Sequence, residues 1–240
     1  MLNEQQLEQH CIGWFQEAGW QCVHGPEIAP EGIKPERADY RQVILRDRLL
    51  AALGRINPHM PAAALEQAAH AVHTLSAPQM VVRNRSFHRL LLSGVALEFA
   101  DGEAKKTDLV HLIDFANPQL NEFVVINQFT ITGTKQPRRP DLVAFINGLP
   151  LAVIELKNPA NEQTDVWDAF NQLQTYKDEI SALFNSNVAL VVSDGWTARV
   201  GSLTANAERM LPWRTLANED DRPCVQLELE TVVHVHKDRR

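Results

Sequence analysis

Two apolar runs, DLVAFI and LAVIEL, flank Asn147-Gly148, and no other feature restricts the fold of this chain as much. Asparagine and glycine tolerate the left-handed backbone of a tight turn, so the runs read as the strands of an antiparallel β-hairpin. Charged groups stand only at its open end: Asp141 begins the first strand, and Glu155 and Lys157 finish the second. Residues two apart in a strand point to one face, which sends Glu155 and Lys157 out together while Ile154 and Leu156 enter the other face.

Strand parity then makes a sharp demand. If Asn147-Gly148 were a plain two-residue turn with an unbroken ladder, Asp141 would oppose Ile154 and lie on the face away from Glu155. Asp141 comes opposite Glu155 only if the ladder slips by one residue. A three-residue loop from Asn147 to Leu149 is the simplest way to do this; a five-residue loop from Ile146 to Pro150, or a bulge in one strand, has the same effect.

In that register the open end carries chemistry. Convergent carboxylates are hard oxygen ligands suited to Mg²⁺, an ion that keeps part of its water shell and also binds phosphate oxygens. A neighbouring lysine can orient or help deprotonate a water, or neutralise charge growing on a phosphate. An isolated Glu-x-Lys is most often a solvated edge or a surface ion pair. Here Asp141 lies one hairpin upstream, and Gln172 and Tyr176 share one face of the helix expected from Asp165 to about Ile180. Together these residues make the inventory of a metal-dependent phosphodiester hydrolase.

The rest of the chain reads as scaffold. A helix capped by Asn3 and Gln6, with Leu7, Cys11, Trp14 and Phe15 at helical spacing, should stop at Gly19. Gly25 to Pro35 is a loop. A helix with Val43, Leu45, Leu49, Leu50 and Leu53 on its apolar side ends at Asn57-Pro58, another runs from Pro61 to about Leu75, and Asn84 caps one that ends at Gly94. From Val95 the period falls towards two, and VALEFA, DLVHLIDF, EFVVINQFTIT and later NVALVVS read as strands. Thr164 is expected to cap the helix that follows the hairpin. Asp194-Gly195 marks a turn, Ala205 to Met210 a short helix, and CVQLELETVVHV a last strand. The expected architecture is α/β, with a mixed, mainly antiparallel central sheet flanked by helices. Residues 1–94 would form a helical elaboration packed on a core of residues 95–240, in one compact unit.

Composition narrows the classes. With 45% hydrophobic and 22% charged residues the chain suits a globular protein, and it holds no run of roughly 18 apolar residues. The N-terminus MLNEQQLEQH is unlike a secretory signal, so a cytoplasmic protein without membrane contact is expected. Cys11, Cys22 and Cys224 show no CxxC pairing, which argues against a disulfide framework or a zinc knuckle. A formal charge of -7 implies that, if the chain works on DNA, something else supplies most of the affinity.

The run RRPDLVAFINGLPLAVIELKNP resembles the PD-(D/E)xK nuclease motif, and Gln172 to Tyr176 resembles the QxxxY extension of its exonuclease-like branch. INP at Ile56 to Pro58, NQFTI at Asn127 to Ile131, SDG at Ser193 to Gly195 and ERMLPW at Glu208 to Trp213 extend the likeness. From about Glu4 to Trp213 the chain is similar to the N-terminal region of the restriction (R) subunit of type I restriction-modification enzymes. That resemblance implies a restriction-endonuclease-like fold and Mg²⁺-dependent endonucleolytic cleavage of double-stranded DNA. Asp141 and Glu155 would bind the metal, with the Leu156 carbonyl a candidate third ligand. Lys157 would be the catalytic lysine, and Gln172 and Tyr176 would position the site or the DNA backbone. It also implies methyltransferase and specificity subunits as partners and an ATP-driven motor. The chain has no GxxxxGK[ST] phosphate loop, so ATP is expected to have no site here and the chain to be a fragment or truncated product. Two alternatives stand beside this reading: a docking module that binds without cutting, and a free-standing nuclease acting on ends or branched DNA.

Other residues invite weaker readings. Lys135, Arg138 and Arg139, just before Asp141, are placed for phosphate contacts. Glu98, Asp108 or Asp114 could add a metal ligand. His70 and His73 read as helix-surface histidines rather than zinc ligands. Arg83, Arg85 and Arg89 would face solvent or a partner.

Overall fold

The computed structural model describes residues 3–101, 104–157, 165–213 and 228–234. Its first element, α1 (Glu4–Glu17), begins with the capping box read from Asn3 and Gln6 and buries Leu7, Cys11 and Phe15, each four residues after the last. A left-handed Gly19 stops it and the chain enters β1 (Gln21–His24). Helices α2 (Arg46–Ile56), α3 (Ala62–His73) and α4 (Met80–Ser93) follow, then the hairpin β2 (Val95–Asp101) and β3 (Ala104–Val110). Strands β4 (Phe123–Asn127), β5 (Leu142–Ile146) and β6 (Leu149–Leu156) come next. Helix α5 (Val166–Glu179), β7 (Ala189–Ser193), β8 (Ala198–Gly201) and α6 (Glu228–His234) are the remaining elements among the described residues.

Six strands form the central sheet in the order β1-β4-β5-β6-β7-β8. The β1–β4 and β6–β7 pairs are parallel and the other three antiparallel, which is the mixed, mainly antiparallel sheet expected. Helix α5 covers one face, where Val166, Ala169, Leu173 and Tyr176 meet Val124, Val143, Val153 and Leu190. Helices α1 and α6 cover the other, where Leu7, Cys11, Leu229 and Val233 meet Val125, Leu142, Ile154 and Leu156. A further core joins α2, α3 and α4 to the separate two-stranded sheet β2–β3. Among the described residues no helix is long and apolar enough to cross a membrane.

Several expectations change. Residues 1–94 hold, besides helices, a strand of the central sheet, β1. Asn84 is no cap: α4 starts at Met80, and the buried Asn84 amide donates to the carbonyls of Phe184, Asn185 and Asn187. The α2 helix begins at Arg46, after Val43 and Leu45, because the Leu45 N–H is taken by the Gly148 carbonyl at 2.9 Å. The DLVHLIDF strand ends at Val110, where the Asn57 side chain takes over the backbone of the next residue: Asn57 Oδ1 accepts from the His111 N–H and its amide donates to the His111 carbonyl. EFVVINQFTIT ends as a strand at Asn127 because Gln128 turns to a positive φ of 56°. The short helix near Ala205 is a single turn, Ala207–Arg209.

The last strand is also wrong: Glu228–His234 is a helix, packed against α1. Its apolar residues alternate like a strand's, but Leu229 and Val233 lie four apart on one helical face and pack into the core formed by α1 and the sheet, and this tertiary packing overrides the pattern. Residues 224–227 of that run, Cys224 with them, lie outside the described residues, as do Asn158-Pro159 and the expected cap Thr164. The cap observed is Asp165, which accepts from the Trp167 and Asp168 N–H groups while Asp168 reaches back to the Asp165 N–H.

Candidate active site at the open end of the hairpin

Asn147 and Gly148 do form a two-residue turn, with φ of 55° and 76°, and Ile146 pairs with Leu149. Left alone, that turn would put Asp141 on the wrong face. The ladder slips between Ala144 and Phe145: Phe145 pairs with Pro150, Ala144 with Ala152, Val143 with Val153 and Leu142 with Ile154. Leu151 is the bulged residue. Proline has no N–H to give the ladder, so the break falls beside Pro150, and the Leu151 carbonyl is satisfied instead by the Val188 N–H at 2.6 Å. One step beyond the last pair, Asp141 therefore comes opposite Glu155. The bulge, rather than the simpler three-residue loop, supplies the required slip.

At the open end Asp141 Oδ2 accepts from the Leu156 N–H at 2.7 Å. Glu155 is 1% exposed, and its Oε2 is buried without a partner among the described residues. Its Oε1 lies 3.5 Å from Lys157 Nζ and accepts from the Tyr176 hydroxyl at 3.4 Å. Lys157 Nζ donates to Gln172 Oε1, and Gln172 Nε2 donates to the Tyr176 oxygen, both at 2.5 Å. The four side chains thus close a ring that fixes the lysine beside the carboxylate. Helix α5 brings Gln172 and Tyr176 to this ring because it crosses from β6 to the parallel β7 over this face.

Electrostatically the pair is strained. Burial pushes Asp141 from 3.8 up to about 7, against the pull of the Leu156 N–H, and the charges of Glu4 and Glu8 add to the rise. Burial, and then the Asp141 charge, raise Glu155 well above the carboxylate range, with Lys157 opposing. Burial and the Glu155 charge also hold the Tyr176 phenol neutral. A buried carboxylate oxygen with nothing to bond, facing a second carboxylate, fits a divalent cation held by hard oxygen ligands. Among the described residues no three His, Cys, Asp or Glu side chains converge to hold a metal. An ion held by this pair would keep water in its shell, as Mg²⁺ does.

The other candidates are dispersed. Lys135 pairs with Asp178 at 2.6 Å and Arg138 with Glu179, so both serve to clamp the loop before Asp141 onto the end of α5. Arg139 is exposed, with no ion pair among the described residues. Glu98 and Asp108 lie on the separate sheet, and Asp114 accepts from the Ala116 and Asn117 N–H groups of its own loop. The acids whose charges reach Asp141 are instead Glu4 and Glu8 on α1. Both fall on one helical face, which was readable, but nothing local ties that helix to Asp141. Glu8 is held by the side chains of Asn127 and Gln128 at 2.8 and 2.7 Å. Arg83 is spent internally, on Asn185 and the Ala77 carbonyl. His70 and His73 line a distant cavity with Arg46 and Glu66.

Comparison with known proteins bears on the chain's family. Residues 1–209 match the family model described as "Type I restriction enzyme R protein N terminus". The type I restriction enzyme HindI endonuclease subunit of Haemophilus influenzae is 40% identical over 217 residues, covering 90% of this chain and 21% of that protein. A Methanocaldococcus jannaschii protein, provisionally named as the type I restriction enzyme MjaIXP endonuclease subunit, is 37% identical over 231 residues, or 95% of this chain and 22% of its own length. The chain therefore spans about a fifth of these relatives. It belongs to the family of type I restriction enzyme R protein N-terminal regions.

Proposed function

We propose that this chain is the DNA-cleaving part of a type I restriction enzyme, hydrolysing phosphodiester bonds of double-stranded DNA with Mg²⁺. The observation that carries the reading is the unpartnered, buried Oε2 of Glu155, set across the hairpin from Asp141 and beside Lys157. Asp141 and Glu155 would hold the ion, with the Leu156 carbonyl a further oxygen within the same turn of chain. A bound divalent ion supplies charge neutralisation at a phosphate and a more acidic water. Lys157, fixed by Gln172, orients that water or neutralises the phosphate, and Tyr176 with Gln172 keeps the lysine and Glu155 in place. Double-stranded DNA, the methyltransferase and specificity subunits, and an ATP-driven motor outside this chain complete the proposal, in the cytoplasm. The net charge of -7 supports it: a nuclease that binds DNA weakly alone cuts only when DNA is delivered.

The test is cleavage by the assembled enzyme. Asp141→Ala, Glu155→Ala and Lys157→Ala should each reduce nicking and cutting by about 10²-fold or more while ATP hydrolysis persists. Full activity in any one of them would remove that residue, and with it the mechanism.

A further inference from the structure

Two exposed side chains that the fold does not use flank the acid pair, one on either side. The ends of β5, β6 and β7 lie next to one another at this edge of the sheet: Asp141 comes opposite Glu155, and Leu156 pairs with Ser193. The Lys157 N–H donates to the Ser193 carbonyl at 2.8 Å. Neighbouring strands are about 4.8 Å apart, so the three ends span about 10 Å.

Beyond β7 the chain turns through Asp194 to Thr197, and Trp196 stands on this turn, 70% exposed. A lone exposed aromatic is ordinary, but this one is held beside the site by a turn whose polar groups are spent on one another. Ser193 is wholly buried; its hydroxyl donates to the Thr197 carbonyl at 2.8 Å and accepts from the Gly195 N–H at 2.9 Å. Asp194 Oδ1 accepts from the N–H groups of Trp196 and Thr197 at 3.1 and 2.7 Å, and Gly195 supplies a positive φ of 92°. The indole itself has no hydrogen bond or ring contact among the described residues. A fixed turn therefore holds a large aromatic in solvent, one strand away from Lys157.

On the other side Arg139, two residues before Asp141, is exposed and has no ion pair or hydrogen bond among the described residues. The chain is pinned both before and after it. Arg138 exchanges both backbone hydrogen bonds with Ile131 at 2.8 Å, and the Asp141 carbonyl accepts from the Gln128 N–H at 3.1 Å. Lys135 and Arg138 are spent on α5, whereas Arg139 is uncommitted. A guanidinium fork binds phosphate oxygens, and an indole offers a face on which a nucleobase stacks. Inside a duplex each base face is covered by its neighbours, so an indole reaches one only where the strand is unpaired or unstacked.

We propose that the DNA strand to be cut crosses the ends of β5, β6 and β7, with Arg139 on a phosphate at one side of the acid pair and Trp196 stacked on an unpaired base at the other. The DNA is then locally opened where it is cleaved. The inference rests on the function proposed above. Two point contacts in a chain of net charge -7 position a strand without gripping it tightly.

The experiment uses the 240-residue chain in EDTA, so that no metal takes part, with a short single-stranded oligonucleotide and the blunt duplex of the same sequence. Five tryptophans fluoresce together, so the Trp196 signal is the difference between the wild-type chain and Trp196→Phe, which keeps a ring to stack. The single strand should quench that signal, and the duplex should leave it nearly unchanged. Trp196→Ala should weaken single-strand binding about tenfold to a hundredfold with the salt slope kept. Arg139→Gln should lower that slope by about 0.7 and leave the quench at saturation intact. Both residues are exposed, so these variants keep the fold. No quench by either DNA, or a Trp196→Ala chain that binds as the wild type does, overturns the proposal. Equal quenching by the duplex overturns the unpaired base, and an unchanged slope in Arg139→Gln overturns the phosphate contact. A Trp196 signal that answers to the other subunits and not to DNA marks a protein contact and overturns the strand path. If the single strand quenches Trp196 while Asp141→Ala still cuts DNA, the strand path stands and the catalytic reading falls.

Discussion

The hairpin β5–β6 has two ends built to opposite rules. At its turn, Asn147 is wholly buried and every polar group is used: its amide donates to the Leu112 carbonyl and Asn121, and its Oδ1 accepts from the Glu122 N–H. At its open end, Glu155 is equally buried, yet one carboxylate oxygen has no partner among the described residues and a second acid faces it. Burial with full satisfaction specifies a fold; burial with a missing partner stores strain that a ligand can relieve.

The turn should be the place where stability is lost. Gly148 has φ of 76°, and a Cβ there would meet the Leu45 carbonyl at 2.4 Å and the Leu49 nitrogen at 2.8 Å. Gly148→Ala combines left-handed strain with a backbone clash, and Asn147→Ala takes a partner from the buried Leu112 carbonyl and from the part-buried Asn121 side chain and Glu122 N–H. Each should cost about 3 to 5 kcal/mol in chemical denaturation. A cost below about 1 kcal/mol for both would show that the turn is not the fixed point of the hairpin.

The open end should behave in reverse. With its folded value raised from 3.8 to about 7, Asp141 favours the fold while protonated, and that contribution is lost as pH rises through about 7. Without divalent ions, Asp141→Asn should therefore match the wild-type chain near pH 4 and exceed it by on the order of 2 kcal/mol at pH 8. Saturating Mg²⁺ should narrow that gap, since the ion stabilises only the chain that binds it. An Asn variant less stable than wild type at pH 8 in EDTA would mean that the carboxylate is structural, as the turn is.

These two ends were not equally legible. The Asn-Gly turn, the apolar strands, the capped α5 and the Gln172–Tyr176 spacing are local signals, and local signals survive in sequence. The register was constrained by parity but not chosen: a bulge was one of three ways to bring Asp141 opposite Glu155, and Pro150, which cannot donate to the ladder, is the residue that selects it. Strands β1 and β8 are four residues each, too short to show a period. The approach of Glu4 and Glu8 to Asp141, like the pairing of Lys135 and Arg138 with α5, comes from tertiary packing and has no sequence signature.

The smallest effect lies within the ring that joins the open end to α5. Gln172 bonds both Lys157 Nζ and the Tyr176 oxygen at 2.5 Å, whereas the Tyr176 hydroxyl reaches Glu155 Oε1 only at 3.4 Å, a long and weak bond. Removing the amide frees the lysine; removing the hydroxyl takes one bond from Glu155 and one from Gln172, whose oxygen still holds the lysine. Gln172→Ala should thus slow cleavage by the assembled enzyme about tenfold, and Tyr176→Phe by about threefold or less, since a net hydrogen bond is worth about 1 kcal/mol at most positions. Neither residue supplies a carboxylate, so calorimetry should find metal affinity nearly unchanged in both. If metal binding vanished in Tyr176→Phe, the hydroxyl would be holding Glu155 in its binding orientation, and the weak 3.4 Å contact would be a stronger one than its length implies.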